Sequence, residues 1–147
     1  MASESTINSV ESKMKGSLNK YANQLNCSYK DVAIHIDGIY IESEEDGVDD
    51  ALSHSYALYL GTKKVAKLEV ENVFELNIIE RFAVSHNIVK NYIQNALEKF
   101  AVENNVALNY VKIMVYANDE EFNPNLLLFI SSQPKGELST ADILGKD

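Results

Sequence analysis

The apolar residues change period along this chain, and those changes limit which secondary structures can follow one another. Ile7, Val10, Met14, Leu18, Tyr21 and Leu25 recur at steps of three and four. On a helix they form one seam, with Lys13, Asn19, Lys20 and Asn23 away from it. The spacing predicts a helix from about Glu4 to Leu25, capped by Ser3, Ser5 or Thr6, weakened at Gly16 and stopped at Asn26. The period then falls to two. Val32, Ile34 and Ile36 alternate with other residues, the pair Asp37-Gly38 follows, and Ile39 and Ile41 resume. An Asp-Gly pair between alternating runs is a strong hairpin signal, so strands are expected at 31–36 and 39–43.

A second hairpin is expected from Tyr56–Leu60 through a Gly61-Thr62 turn to Lys64–Glu71. In it Ala66, Leu68 and Val70 face inward while Lys67, Glu69 and Glu71 face water, the pattern of a sheet covered on one side. Helical spacing returns at Ile79, Phe82, His86, Val89, Ile93, Leu97 and Phe100, either as one helix or as two divided at Ser85-His86-Asn87. Leu108–Tyr116 and Leu126–Ser131 complete a third antiparallel pair around a loop that holds Pro124. From residue 132 a flexible tail is expected, with at most a short helix at Thr140–Leu144. No internal repeat is evident.

These elements make an α+β fold, a two-layer sandwich within one domain. An antiparallel sheet of five or six strands carries an N-terminal helix and a long central helix, in the order α-β-β-β-β-α-β-β. The outline resembles the acidic, dimeric chaperones of type III secretion, which place helices before, between and after antiparallel strands. The resemblance rests on element order and acidity.

Charge narrows the partners. The 147 residues carry a net charge of -9, with Arg81 the single arginine, and Glu42, Glu44, Glu45, Asp46, Asp49 and Asp50 crowd one short stretch. Such a surface repels phosphate backbones and anionic lipid, which argues against nucleic-acid and membrane partners. The acidic stretch reads as a solvated loop. Glu42, Glu44, Asp46 and Gly47 do occupy the first, third, fifth and sixth places of an EF-hand calcium loop, but the twelfth place, which needs a bidentate Glu, is Ser53. A lone cysteine, Cys27, can form no disulfide within the chain and no cysteine-based zinc site, which fits a cytoplasmic protein. No run approaches the roughly 18 apolar residues of a membrane span.

Chemistry-bearing motifs are sparse. His35, His54 and His86 have no metal-ligand spacing, and neither a GxSxG elbow nor a glycine-rich phosphate loop is present. His35 and Asp37, two apart on a strand, form the minimal acid/base pair, although Asp37 is also what a turn before Gly38 would demand. No catalytic residue, cofactor or metal is therefore assigned.

Tyrosines are more informative. Tyr110, Met114 and Tyr116 alternate with Val111, Ile113 and Val115. With helices on one face only, one of these sets is left for a partner. The seam of the first helix stays apolar to its start, so Ile7, Val10 and Met14 are expected to meet a second chain. The reading is a non-enzymatic protein-binding module (an adaptor, secretion-type chaperone, immunity or inhibitor protein). Its partner is another protein, basic or apolar at the contact, in a homo-oligomer or hetero-complex. A structural subunit of a larger assembly is the alternative, and a small hydrolase with a spatially assembled site the third.

Overall fold

A computed structural model of the chain describes residues 4–41, 51–74 and 86–144. Its elements run α1 (Glu4–Leu25), β1 (Val32–Ile41), β2 (Ala51–Leu60), β3 (Lys63–Leu68), α2 (Val70–Phe74), α3 (His86–Glu103), β4 (Val111–Ala117), β5 (Pro124–Ile130), β6 (Gln133–Leu138) and α4 (Thr140–Ile143). A single 3-10 turn at Leu108–Tyr110 precedes β4. The six strands form one antiparallel sheet in the order β3-β2-β1-β4-β5-β6. This is the expected α+β arrangement. No described helix is long and apolar enough to cross a membrane.

Helices α1 and α3 lie against the sheet, and α2 and α4 each touch both of them. Val10, Met14, Leu18 and Tyr21 from α1 meet Val89, Ile93, Leu97 and Phe100 from α3 in one core with Ile34, Ile36, Ile113 and Val115 of the central strands. Burying such a side chain contributes about 1.5–3 kcal/mol. Polar ties orient the layer. The Ser17 hydroxyl donates to the carbonyl of Val73, the Tyr21 hydroxyl to that of Asn72, and the Thr140 hydroxyl to the carboxylate of Glu11.

Among the described elements the same order occurs twice, α1-β1-β2-β3-α2 and α3-β4-β5-β6-α4, a structural repeat where none is evident in the residues. Both long helices end the same way. Asn26 and Asn105 adopt left-handed φ of 53° and 52°. Cys27 N–H then reaches the carbonyl of Ala22, and Val106 N–H that of Ala101, each at 3.0 Å. This is the Schellman ending, and asparagine tolerates its left-handed residue. Register shifts fall at Leu58/Tyr59 and at Leu128/Phe129. The N–H groups of Glu69 and Ser139 are received by the side chains of Asn72 and Asp142 at the starts of α2 and α4. The local dyad passes between His35 and Met114, which pair across β1 and β4.

Four expectations on strands need correction. Asp37-Gly38 is not a turn. It lies inside β1, where Asp37 pairs with Ser55 on one side and Lys112 on the other. Pairing on both sides outweighs a local turn preference, and Gly38 serves close approach instead: a Cβ there would lie 2.4 Å from the carbonyl oxygen of Leu108. Strand β3 stops at Leu68, and Val70 is buried on helix α2. Residues 108–110 form a 3-10 turn, so β4 begins only at Val111. The stretch expected as a tail supplies β6, and Ser139 then caps α4 with a capping box. Helix α3 begins at His86, within the stretch expected to divide the central helix, while residues 75–85 and the loop 42–50 lie outside the described residues.

The two informative glycines give opposite predictions. Gly16 is exposed in mid-helix with nothing within 4 Å of a built Cβ, so Gly16→Ala should stabilise by about 0.5–1 kcal/mol. Gly38→Ala should destabilise by about 1–3 kcal/mol, because Leu108 must move. Urea unfolding of both variants checks the pair.

Candidate binding face

The sheet buries one face under the helices and turns the other away from every described helix. On β1 the inner set is Val32, Ile34 and Ile36, and the outer set is Ala33, His35, Asp37 and Ile39. The pairing carries the outer set across the sheet in rows. Lys67, Ala57, His35, Met114, Leu127 and Glu137 make one row; Lys64, Tyr59, Ala33, Tyr116 and Asn125 make the next. A third runs Ser55, Asp37, Lys112, Phe129 and Pro134. The result is an apolar and aromatic centre with lysine at one margin and glutamate at the other.

The rings of this face organise one another. His35 and Tyr59 stack with centroids 3.7 Å apart and planes within 10°. The Lys112 ammonium sits 4.9 Å from the Phe129 ring centroid, and the Asn125 amide donates to the Tyr116 hydroxyl at 3.3 Å. His35 is only 9% exposed and its Nδ1 makes no hydrogen bond. Burial, helped by nearby Lys112, pushes its pKa down to about 4. At neutral pH it is an uncharged flat ring. Burial pushes Asp37 the other way, upward, against the opposing pull of Lys112 and Lys64.

Of the residues expected at an interface, Met114 and Tyr116 lie half-buried on this face, while Val111, Ile113 and Val115 are the covered set. Tyr110 is not with them. It is 53% exposed on the 3-10 turn, beside a polar cleft of about 110 Å³ that Asp37 and Lys112 also line. Val10 and Met14 are 2% exposed in the chain's own core, and Ile7 packs against that core. Those three need no second chain, because the sheet is longer than the strands expected for it. β1 and β2 have 10 residues each, and α1 has 22, so both span roughly 33 Å. Glu42, Glu44, Glu45, Asp46, Asp49 and Asp50 lie outside the described residues.

Sequence reasoning missed Leu127 and Phe129 at the site. The run Leu126–Ile130 is apolar throughout, so alternation cannot separate inner from outer positions until the neighbouring strands are known. Tyr59 was visible as an aromatic beside Tyr56, yet three residues apart on a strand they take opposite faces.

No hydrogen bond joins His35 to Asp37, so the acid/base pair is not assembled. His54 belongs to the core side. Its Nδ1 lies 2.6 Å from Gln94 Oε1 and its Nε2 2.6 Å from the Tyr56 hydroxyl. The amide oxygen can only accept, so Nδ1 carries the hydrogen and Nε2 receives that of Tyr56. Burial lowers the pKa of His54 and raises that of Tyr56, to a direction favouring both neutral forms. Cys27 is half-buried and its thiol is pushed upward by burial and by Asp31, which disfavours the reactive thiolate. Among the described residues no group of three or more His, Cys, Asp or Glu could hold a metal ion. The side chain of His86 lies outside the described set.

Comparison with protein-family models, with curated proteins and with solved structures finds no match for this chain.

A pH prediction follows from His35. The unfolded chain protonates it near the ordinary value of about 6.5, the folded chain only near about 4. The unfolded state therefore binds more protons between these values. Stability is fully present above about pH 6.5 and drains as pH falls toward 4. In His35→Phe, which keeps a ring on Tyr59, the loss between pH 7 and 4.5 should be smaller by on the order of 1–2 kcal/mol. Urea midpoints across that range measure it; equal losses in both proteins would contradict the assignment.

Proposed function

We propose that the chain is a non-enzymatic protein-binding module that docks another protein on the outer face of its sheet. The observation that carries the reading is the row pattern just described: His35, Tyr59, Met114, Tyr116, Leu127 and Phe129 converge on a side that no described helix covers. Aromatic and methionine side chains are those enriched at protein interfaces. Charges at the margins suit the polar rim of such a contact.

The sheet edges favour a face contact over strand addition. Edge strand β3 reads Lys63-Lys64-Val65-Ala66-Lys67-Leu68, and edge strand β6 contains Pro134, Lys135 and Gly136. Each edge also carries a register irregularity against its neighbour. Lysine, proline and bulges are the devices that discourage a further strand from pairing. The net charge of -9 would speed the approach of a basic partner, leaving the apolar centre to hold it.

Photo-crosslinking tests this. A benzoylphenylalanine in place of Tyr116 or Leu127 should give one dominant protein adduct in the source cell, and the same group at exposed Ser12 or Asn91 should give none. Adducts confined to the helical positions, or equal at all four, would contradict the reading.

A further inference from the structure

Asp37 places a carboxylate in the middle of the sheet, between Ser55 on one neighbouring strand and Lys112 on the other. Among the described residues it takes no hydrogen bond and makes no ion pair; Lys64 and Lys112 act on it through charge at longer range. The Lys112 ammonium is engaged elsewhere, 4.9 Å from the centroid of the Phe129 ring. A half-buried carboxylate without a hydrogen-bond donor is costly, and burial raises its pKa.

The repeat shows why space is left beside it. Asp37 and Tyr116 are related by the local dyad, each two residues past the His35–Met114 pair, with Asp37 flanked by Ser55 and Lys112 and Tyr116 by Asn125 and Ala33. The hairpins beside them correspond as well: Ser131 N–H reaches the carbonyl of Tyr110 at 2.9 Å, as Gly61 N–H reaches that of Asp31 at 2.7 Å. One position holds a phenol ring whose hydroxyl accepts from Asn125. The other holds the shorter carboxylate, beside a polar cleft of about 110 Å³ bounded by Asp37, Lys112, Asn109, Tyr110, Ser131 and Ser132. Ser131 and Ser132, at left-handed φ of 51° and 68°, form the two-residue turn of one wall. Asn109, Tyr110 and both serines are exposed, so the walls of the cleft reach the surface.

We infer that this cleft receives the guanidinium of an arginine presented by the protein that docks on the outer face, an inference that rests on that reading. The hydroxyls of Tyr110, Ser131 and Ser132 and the amide oxygen of Asn109 can accept hydrogen bonds, as the carboxylate does. A guanidinium brings five N–H donors in one plane to such a set of acceptors, and the exposed Tyr110 ring offers a surface on which that plane can stack. A lysine ammonium has three donors and no plane, and an anion would meet the Asp37 carboxylate. Asp37 lies in one row with Phe129 and two residues from His35 on the same strand face, so the cleft adjoins the apolar centre. An arginine from a segment docked there is within reach of it.

Amide-resolved NMR of the full chain, titrated with acetyl-arginine amide, tests the cleft. Saturable shifts are expected at Asn109, Tyr110, Ser131 and Ser132. Acetyl-citrulline amide, which keeps the shape and loses the charge, should bind about tenfold more weakly, and acetyl-lysine amide about threefold more weakly. Asp37→Asn should weaken the arginine probe about tenfold without lowering the melting temperature, whereas Lys112→Met, which removes a like charge from the wall, should tighten it about twofold. In the source cell, Asp37→Asn should cut the adduct of a benzoylphenylalanine at Leu127 several-fold. Equal binding of the citrulline probe, the absence of saturable shifts, or arginine binding indifferent to Asp37→Asn would overturn the assignment of the cleft. A Leu127 adduct unchanged by Asp37→Asn would overturn the inference and keep the face contact. No adduct at Tyr116 or Leu127 in the otherwise unaltered chain would overturn the face reading itself, and with it the source of the arginine.

Discussion

The pairing of β1 with β4 is the contact on which the other elements depend. Among the described strands it is the one ladder between the two repeats, and it sets Ile34, Ile36, Ile113 and Val115 side by side on the inner face, each 0–1% exposed. At about 1.5–3 kcal/mol for each such side chain, this cluster is a large share of the stability available to a chain of this size. Both long helices then lie across this strip, each touching β1 and β4. Because a strand presents alternate residues to opposite sides, sealing one face leaves His35 and Met114 at the centre of the other. The same pairing therefore builds the core and lays out the candidate binding face.

The outer face illustrates how a position can be packed without being covered. Ala33 and Ala57 are small and buried, and beside them His35 and Tyr59 stack. His35 is nearly buried although no described helix lies above it. Its neutral ring lets it behave as part of an apolar surface at neutral pH, in contrast to the Gln94-His54-Tyr56 network on the inner side, where every histidine nitrogen has a partner. One histidine completes a surface; the other is a satisfied polar group of the core.

Much of the architecture is legible in the residue order, because amphipathic periodicity is a local property. The seam of α1, its stop at Asn26, the Gly61-Thr62 turn and the alternation of Ala66, Lys67 and Leu68 after it appear as expected. What fails is what depends on distant neighbours. Asp37-Gly38 has the residues of a turn, yet two flanking strands hold it extended. β6 is an edge strand whose residues are almost all exposed, so it has no apolar alternation to betray it. The repeat is hidden because equivalent positions keep their role and change their residue, as with Tyr21 and Phe100, or Met14 and Ile93. At the candidate face, alternation grouped Met114 with Tyr116 and left open which set faces outward, a choice decided by the burial of Val111, Ile113 and Val115. Ile7, Val10 and Met14, expected to meet a second chain along the helix seam, pack in or against the chain's own core because the strands beneath α1 are longer than their alternation suggested.

The central claim is that the outer face is open in the isolated chain and closed by a partner in its native setting. Hydroxyl-radical footprinting followed by mass spectrometry measures both states on the same side chains. Met114, Tyr59 and Phe129 should oxidise readily in the purified protein and be protected several-fold in extract of the source cell. Equal oxidation of Met114, Tyr59 and Phe129 in the two settings would contradict the account.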